Sequence, residues 1–424
     1  MANNFDSNFT RKLLPGVLEA FESKRTVSKT VNTQRLNGVF GGNTGDTVDF
    51  KRPTDYKSVR TSSGDISGTT AQSIITGKAS GVVQDYITVE VDFQEADQAL
   101  KMGGEDLTRF YDDMATRVVT DLEVDFSKFC VKNAGLLSGT PGTAVSEWSD
   151  VANAGALMDS LGVPSGPKMY VGNPFLNTSL ANIQRSIGAV DSLVSPAFRD
   201  ATLSSNFAGM TVMTSTALAA ATVGNFTDRA GTLSGAPTPT YVAAKDSMTQ
   251  VLSVTGLSAN TVVKAGEVIQ VTGRSRLNLS TRQIALNAAG AEILWTATVT
   301  ADVTLNASGA GDLVCTGPAV FEAAGAYNTV SSAVASGDVV TLLYPANATT
   351  QANLFYHRDA FAIGSVSIEK LFSTDTLGTT KDGLQLRCSK GASIRENKQI
   401  VRFDFRPAYA VLNPFFAGQG FGTA

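Results

Sequence analysis

The sequence has very few of the residues on which most enzyme chemistry depends, since its 424 residues include a single histidine, His357. Catalytic triads and most metal centres need histidine, so one copy excludes most arrangements of nucleophile, base and orienting group. His357 follows two aromatic residues in FYHRD, a setting more typical of a structural than of a catalytic histidine. The sequence therefore predicts no enzyme, no catalytic residue, no metal site and no cofactor.

Cysteine is also scarce, and Cys130, Cys315 and Cys388 lie far apart without any CxxC pair. The odd number and the spacing disfavour a disulfide framework or a zinc site and suit a reducing compartment, so we interpret all three as small buried apolar residues. The N-terminus carries charges where a signal peptide needs its apolar core, and no apolar run approaches membrane-spanning length. We therefore expect a protein that is made in the cytoplasm and makes no membrane contact.

The chain has no excess of positive charge, because 34 basic residues face 38 acidic ones and the formal net charge is -4. Tight binding to nucleic acid needs a basic surface, so any contact with DNA is expected to be weak and unspecific. A local basic excess occurs in residues 1–36, with six basic and three acidic side chains. This pattern predicts an arm for an acidic or mixed-charge partner, or simply a solvated helix face.

Fingerprints of nucleotide-binding and hydrolytic enzymes are missing: the sequence has no P-loop, HExxH, GxSxG or kinase motif. The glycine-rich GGNTG (41–45) precedes a strand, not a helix, so it does not predict a phosphate cradle. Arg274, Arg276 and Arg282 form a basic cluster without interleaved aromatic residues. We interpret this cluster as a protein contact or a solvated loop.

Helical periodicity is strongest between Glu105 and about Leu137, where apolar side chains recur every three or four residues. This pattern predicts one buried helix about 45 Å long at 1.5 Å per residue. A shorter helix is predicted over residues 10–25, with Pro15 and Gly16 limiting its start. Such helices are typical of packed spines, not of sites.

Two further patterns define the rest of the fold. Residues 147–163 read as a helix with Ser149 or Asp150 near its cap, and residues 166–183 read as a strand followed by a helix. Beyond residue 201 charged residues become rare, and short strands bounded by Gly, Asn or Ser take over: TQVLSVTGL, GEVIQVTG, ILWTATVT, GDLVCTG and GDVVTLLY. The sequence therefore predicts an α+β fold interrupted by a small β-barrel at roughly 226–346.

The most unusual segment lies between two predicted strands, TVDFK (47–51) and YITVEVDF (86–93). The intervening thirty-five or so residues are rich in Gly, Ser and Thr, and their one dense apolar point is Ile74 and Ile75. Four basic and four acidic residues lie between Asp46 and Asp65. A hairpin that is balanced in charge and poor in core either stays in solvent or lies on another protein surface.

Particular stretches together resemble the major capsid (coat) proteins of short-tailed double-stranded DNA bacteriophages. They are most similar to the branch with an inserted β-barrel domain, typified by short-tailed phages of Salmonella and Shigella, and the resemblance covers nearly the whole chain. The stretches that carry it are TGDTVDFKRP, GDISG, GKASGVVQDYITVEV, RVVTDLEVDF, QANLFYHRDAFAIGS and RFDFRPAYAVLNP.

The resemblance implies the Johnson fold of tailed-phage and herpesvirus capsids, with an inserted small β-barrel domain. By analogy the parts are an N-terminal arm (1–36), an extended β-hairpin loop (37–93), a peripheral domain with the spine helix (94–150 and 376–424), an axial domain (151–225 and 347–375) and the barrel (226–346). The implied function is self-assembly into an icosahedral head shell around phage double-stranded DNA, through a scaffolded precursor that expands on maturation.

The same resemblance implies partners and contact residues. The expected partners are many copies of the chain in hexamers and pentamers, a scaffolding protein, a portal protein and the packaged DNA. Contacts between subunits are expected at Lys51, Arg52, Asp55, Lys57, Arg60, Asp65, Ile74 and Ile75. Contacts with scaffolding protein are expected at Arg11, Lys12, Lys24 and Arg25.

Two departures and two alternatives accompany this hypothesis. No set of Lys, Asn and Glu matches the isopeptide crosslink of one branch of the fold, so a shell without covalent links is expected. The barrel loop that joins capsomers in relatives is short here, around AAKDSMTQ. A cellular nanocompartment shell is an alternative that the barrel insertion disfavours. A phage tail or adhesin protein is a second alternative, disfavoured because Trp295 lies within a predicted strand.

Overall fold

The computed structural model describes residues 6–36, 45–69, 73–94, 104–186, 200, 203, 206–224, 228–237, 239–323, 325–371, 375–393 and 398–423. At 6–13, 93–94, 104–111, 186 and 392–393 it describes the backbone alone. The helices are α1 (Asp6–Lys24), α2 (Val27–Thr30), α3 (Gly104–Lys132), α4 (Trp148–Ser160), α5 (Pro174–Ser186) and α6 (Tyr241–Ala244). Two single 3-10 turns cover Arg358–Ala360 and Pro414–Phe416.

Most of the strands are short and follow one another closely along the chain. They are β1 (Thr47–Lys51), β2 (Lys78–Val83), β3 (Ile87–Gln94), β4 (Leu136–Ser138), β5 (Lys168–Gly172), β6 (Thr211–Thr214), β7 (Ala220–Thr222), β8 (Ala230–Leu233), β9 (Thr249–Thr255), β10 (Val262–Val263), β11 (Val268–Ser275), β12 (Leu294–Val299), β13 (Val303–Thr304), β14 (Gly311–Thr316), β15 (Val339–Leu342), β16 (Thr349–Gln351), β17 (Asn353–His357), β18 (Phe361–Ser365), β19 (Thr376–Thr379), β20 (Gln385–Ser393), β21 (Lys398–Phe405), β22 (Pro407–Val411) and β23 (Ala417–Gly420). The two strands predicted on either side of the glycine-rich segment, β1 and β3, are confirmed.

The chain divides into two compact units. The first comprises Met1–Asp49, Ser80–Ser127 and Phe361–Val411, and the second comprises Phe50–Ala79, Lys128–Ala360 and Leu412–Ala424. Much of the glycine-rich segment thus belongs to the second unit, together with the predicted barrel. The domain boundaries inferred from the resemblance stay a prediction.

The first unit contains two four-stranded sheets, ordered β1-β2-β22-β18 and β19-β20-β21-β3. Helix α1 packs on the second sheet, where Leu14 and Val17 join Phe403 in a buried cluster and the rings of Phe21 and Phe405 lie 5.4 Å apart. The prediction that Pro15 limits the start of this helix is wrong, because the proline lies inside it. A mid-helix proline costs one backbone hydrogen bond, and burial of the neighbouring apolar side chains offsets that loss.

Helix α3, the predicted spine, is 29 residues long and ends at Lys132. The prediction that it reaches about Leu137 is wrong, because Leu136 begins strand β4, which pairs in parallel with β23. Apolar residues at this spacing fit a helix stripe and a strand equally well. Gly135 separates the two elements, and its amide donates to the carbonyl of Pro414 at 2.9 Å.

The second unit contains a five-stranded mixed sheet of order β4-β23-β17-β5-β6, covered by α4 and α5. The strand and helix predicted over residues 166–183 are confirmed as β5 and α5. Helix α4 starts with a capping box in which Glu147 is the N-cap. The Glu147 amide donates a hydrogen bond to the Asp150 carboxylate. Its predicted start near Asp150 is therefore confirmed, with the cap two or three residues earlier.

The predicted barrel is confirmed as a closed sheet of six strands, ordered β11-β12-β14-β9-β8-β15. Its interior is a single apolar cluster that includes Trp295, Leu252, Val271 and Leu313. All four of these side chains are fully buried. Closure removes the free sheet edges that would otherwise pair with other chains. The barrel can therefore form its own core within a longer α+β chain.

Candidate assembly surface

Residues 50–79, called the loop segment below, belong to the second unit, and the two ends of the segment lie side by side. The amide of Arg52 donates to the carbonyl of Gly77 at 2.8 Å, which joins the two ends. The Arg52 guanidinium donates from Nη1 to the carbonyl of Leu412 and from Nε to the carbonyl of Lys78. Burial lowers the pKa of Arg52 to about 10 against the opposing influence of Tyr241. The base of the segment is therefore fixed by backbone and side-chain bonds within its own unit.

A tyrosine pair holds both arms of the loop segment just beyond this base. The hydroxyl of Tyr327 accepts from the Asp55 amide at 3.0 Å and donates to the Ile75 carbonyl at 3.2 Å. Its ring stacks on Tyr241 with centroids 3.7 Å apart and planes 2° from parallel. Arg282 donates from Nη2 to the Asp55 carboxylate, and Ile75 packs against the Tyr241 cluster. One hydroxyl thus connects the two arms of the loop segment at a point where neither arm is in a β-strand.

The barrel loop AAKDSMTQ holds the returning arm. The Asp246 carboxylate accepts from the amide of Lys78 at 3.0 Å, and the Lys245 ammonium pairs with the same carboxylate. These contacts, with the bond from Lys245 first, lower the pKa of Asp246 below its ordinary value. A Cβ on Gly77 would lie 2.5 Å from the Lys245 carbonyl oxygen, so the close approach requires glycine.

The distal part of the loop segment differs from the base in its exposure. Every residue from 56 to 69 is exposed, and so is Ile74. The exposed fraction is 72% for Ile74, 58% for Ile66, 56% for Tyr56 and 50% for Val59. The Ser67 amide donates a local hydrogen bond to the Asp65 carboxylate at 2.9 Å, and this bond lowers the pKa of Asp65. Four large apolar side chains are thus exposed on a loop segment whose base is fixed.

The residues predicted to contact other subunits fall into two groups. Exposed positions are Lys51, Lys57, Arg60, Asp65 and Ile74. Arg52, Asp55 and Ile75 are instead half-buried against their own unit by the contacts given above. Contact with a neighbouring subunit stays a prediction for all eight residues.

The predicted scaffolding residues lie at the first unit. Arg11 and Lys12 are on α1, but their side chains lie outside the described residues. Lys24 is exposed, and its ammonium donates to the hydroxyl of Thr116. The side chain of Arg25 is completely buried and pairs with Asp382 at 3.2 Å. Arg25 is thereby committed to its own unit, and the scaffolding contact of the four residues stays a prediction.

The arginine cluster on the barrel is structural, and its interpretation as a solvated loop is wrong. Arg274 makes a bidentate pair with Asp338, with both distances 2.7 Å. Arg276 is only 3% exposed, and Arg282 holds Asp55. The sequence indicated the cluster as a contact but could not indicate its partners, because these lie 20 to 227 residues away along the chain.

His357 is structural as well. It is 4% exposed, its Nδ1 accepts from the Asp359 amide at 3.2 Å, and its ring meets Phe416 edge-on at 6.0 Å. Burial lowers its pKa below the ordinary value. In the described part of the chain, no three His, Cys, Asp or Glu side chains come together to hold a metal ion. Over those same residues, no helix is long and apolar enough to cross a membrane.

Tyr241 and Tyr327, the pair that holds the loop segment, were not indicated by the sequence. Each is an isolated aromatic residue in a stretch of small side chains, YVAA and AAGAYNTV. They are 86 residues apart, so no local spacing connects them. The available signal was their scarcity: large aromatic side chains in an Ala- and Gly-rich stretch must find a partner to pack against.

Comparison with known proteins gave consistent matches. The family model described as P22 coat protein, gene protein 5, matches residues 1–422. The major capsid protein of Acyrthosiphon pisum secondary endosymbiont phage 1 is 35% identical over 426 residues and covers 100% of both chains. Solved chains of low similarity include one from Mycobacterium phage Che8, with 12% identity, 93% of this chain and 90% of that chain covered, and a TM-score of 0.46. Another, from the capsid of cyanophage P-SCSP1u, has 10% identity, 95% and 87% coverage, and a TM-score of 0.44.

Proposed function

Because this chain belongs to the P22 coat protein family and is a phage major capsid protein, we propose that its loop segment binds a neighbouring copy in the head shell. The chain is a structural, non-enzymatic component of the virion capsid, and such proteins assemble as many copies. The α+β capsid fold with a closed barrel, predicted from the sequence, is confirmed. Family membership decides against the nanocompartment and adhesin alternatives.

The observation that carries the proposal is the contrast between the two parts of the loop segment. Its base is fixed by contacts of Arg52, Asp55 and Ile75. Residues 56–69 and Ile74 are instead exposed, and they include four large apolar side chains. A fixed base lowers the conformational entropy lost when the distal part binds a partner. A second copy of the chain is the partner we infer, because every subunit of a shell has a neighbouring copy beside it.

Magnitudes favour the apolar side chains over the charges as the source of affinity. An exposed ion pair contributes about 0–1 kcal/mol, so Lys57, Arg60 and Asp65 would mainly set the register between subunits. Full burial of an Ile side chain contributes about 1.5–3 kcal/mol. A standard interface buries about 800 Å² per partner, and much of its gain is offset by ordering costs. Individually weak contacts, repeated around a shell, allow misplaced subunits to leave.

The test is assembly of an Ile74→Asp variant. We expect closed shells to fall by at least about tenfold, because burying an unpaired carboxylate in the subunit contact costs more than 1.4 kcal/mol per copy. The measurement is co-expression with scaffolding protein, sedimentation of particles and negative-stain microscopy. Val251→Asp is the matched control, since Val251 is also an exposed β-branched residue, 49% accessible, on strand β9.

Both variants should keep the wild-type circular dichroism spectrum and melting temperature, because neither side chain belongs to a core. Shells of Ile74→Asp at wild-type yield would refute the proposal. An equal loss in Val251→Asp would refute it as well, since the effect would then not belong to the loop segment.

The proposal extends to the assembly route. The chain would first form hexamers and pentamers in an icosahedral precursor shell with scaffolding and portal proteins, and would then expand as DNA enters. We assign the scaffolding contact to the N-terminal arm, at Arg11, Lys12 and Lys24. Its supporting observation is the basic excess of residues 1–36. Arg25, although basic, is buried and pairs within its own unit.

Charge reversal tests this assignment. In an Arg11→Glu/Lys12→Glu variant we expect scaffolding protein to be absent from particles or reduced several-fold, because two attractive pairs become repulsive. Lys29→Glu, at another exposed arm position, is the control and should retain scaffolding protein. The ratio of scaffolding to coat protein in sedimented particles is the measurement. A wild-type ratio in the double variant would exclude Arg11 and Lys12 as the contact.

A further inference from the structure

A cavity of about 300 Å³ lies in the second unit, where strands of the barrel approach the segment that follows the spine helix. Such a volume is at the lower end of the range of small-molecule sites. Its lining is about half apolar and half polar, and the apolar part includes Leu136, Leu157, Ile293, Leu294 and Leu343. Two strong donors also line it, the guanidinium of Arg276 and the amide of Gln270. Apolar side chains beside a small number of hydrogen-bond donors are the usual make-up of a ligand site.

The backbone of Arg276 is fixed on two sides. Its amide donates to the Ile293 carbonyl at 2.7 Å, and its carbonyl accepts from the Ala285 amide at 2.9 Å. Nη2 donates to the carbonyls of Gly135 and Thr296 at 2.8 and 2.6 Å, and the guanidinium carbon lies 5.7 Å from the Phe415 ring. The guanidinium is therefore held in one orientation, mainly by backbone carbonyls.

These contacts leave Nη1 of Arg276 without a hydrogen-bond acceptor in the part of the chain that the structure describes. Arg276 lines the cavity, so a molecule bound there could supply the acceptor that Nη1 lacks. The side-chain amide of Gln270 makes no hydrogen bond within the described residues either.

The charge of Arg276 is uncompensated. The residue is 3% exposed, and no described carboxylate accepts a hydrogen bond from it. Glu292 is close along the barrel, but it accepts from the Ser275 hydroxyl. A buried cation costs several kcal/mol unless it is paired, and the other barrel arginines, Arg274 and Arg282, are each paired with an aspartate. Arg276 is the exception, and it is the one that lines the cavity.

We propose that this cavity binds a small aliphatic carboxylate. In this arrangement one carboxylate oxygen accepts a hydrogen bond from Nη1 of Arg276, and the other accepts one from the side-chain amide of Gln270. The aliphatic chain lies against Leu157, Ile293 and Leu343. The chemistry follows from the lining, because an inorganic anion would satisfy the guanidinium but would leave the apolar walls in contact with water. An uncharged aliphatic molecule would fill the walls but leave the cation unpaired.

The probes are acetate, butyrate and butanol, each titrated into the full-length unassembled protein by isothermal titration calorimetry. We expect saturable binding of butyrate and an affinity about tenfold lower for acetate, since the two additional methylene groups are buried. Butanol is expected to bind at least tenfold more weakly than butyrate. A carbon-13 label on the butyrate carboxyl should show a shifted, saturable resonance in the presence of protein.

Two variants separate binding from folding. Leu157→Phe narrows the cavity without altering any bond of Arg276, and Leu157 is only partly buried, at the margin of its core cluster, so the fold should tolerate the change. We expect it to weaken butyrate binding at least tenfold while the melting temperature without ligand stays at the wild-type value. Arg276→Met should abolish binding. If it also fails to fold, the Leu157→Phe comparison decides alone.

Three results would overturn the proposal. The first is the absence of saturable butyrate binding to the wild-type protein. The second is wild-type affinity in Leu157→Phe, which would place the ligand elsewhere. The third is equal affinity for acetate and butyrate, or for butanol and butyrate, which would remove the aliphatic or the anionic part of the assignment.

Discussion

Replacement of Trp295 with alanine is expected to lower the free energy of unfolding by about 3–5 kcal/mol. Trp295 is the largest fully buried side chain, it lies in the barrel core, and its Nε1 donates to the Gly317 carbonyl at 3.1 Å. The substitution removes the apolar burial, leaves a cavity that the closed sheet cannot collapse to fill, and leaves the Gly317 carbonyl without its donor. The barrel should then unfold before the rest of the chain.

The other tryptophan is the control. Trp148 begins helix α4 and is 50% exposed, so Trp148→Ala should change the free energy of unfolding by less than about 1 kcal/mol. Urea unfolding followed by far-ultraviolet circular dichroism gives both values. Similar losses in the two variants would show that Trp295 does not carry the barrel core.

The second large effect is expected at Asp404, on β21, one of the two inner strands of the sheet β19-β20-β21-β3. Its side chain is fully buried, and it accepts from Arg387 at 2.6 and 3.0 Å, from Arg402 at 2.6 Å and from Thr88 at 2.8 Å. Strand register brings Arg387 and Thr88 beside it from both neighbouring strands. Asp404→Ala would leave the Arg387 cation buried and unpaired, at a cost of about 3–5 kcal/mol.

Two comparisons isolate this ion pair. Asp302→Ala removes a carboxylate that is 52% exposed and pairs with Lys264, so we expect a loss of about 0–1 kcal/mol. In the double variant Arg387→Met/Asp404→Leu both charges disappear, and stability should recover to near the wild-type value. Urea denaturation of the three variants is the measurement. A double variant as unstable as Asp404→Ala would show that the loss comes from packing and not from the unpaired cation.

The same carboxylate gives an acid dependence of defined sign. Burial raises the pKa of Asp404, but the hydrogen bonds from Arg387, Arg402 and Thr88 outweigh burial and hold it below the ordinary value of 3.8. A lowered pKa in the folded state means that the stabilisation is present above about pH 4 and is lost as the pH falls through the folded value. Asp404→Asn should remove this part of the acid loss, which melting curves between pH 2 and 6 would measure.

Local patterns in the sequence were sufficient for most elements of the fold. The stripe from Glu105 onward fixed the spine helix, because a buried helix face repeats at 3.6 residues. The barrel strands were visible because each is short, rich in Val and Thr, and bounded by turn residues. Ambiguity remained where one pattern suits two structures, as at Leu136, which extends the helical stripe and in fact begins β4.

Contacts between distant parts of the chain could not be predicted in this way. Arg276 looked like a surface residue because arginine usually is one, and its burial depends on carbonyls 20 and 141 residues away. The same holds for Tyr327, which reaches Ile75 across 252 residues. The sequence correctly marked the loop segment as poor in core, but not that its base would find partners in its own barrel.

The three thiols have a practical consequence. Cys130, Cys315 and Cys388 are all buried, and burial raises the pKa of Cys388 to about 12. Alkylating dyes react with accessible thiolates, so we expect the three native cysteines to react slowly with them. A cysteine introduced at an exposed position such as Asp65 would therefore be the sole point of dye attachment. Fluorescence quenching between labelled subunits could then time the first encounters in shell growth without removing a single native residue from a core.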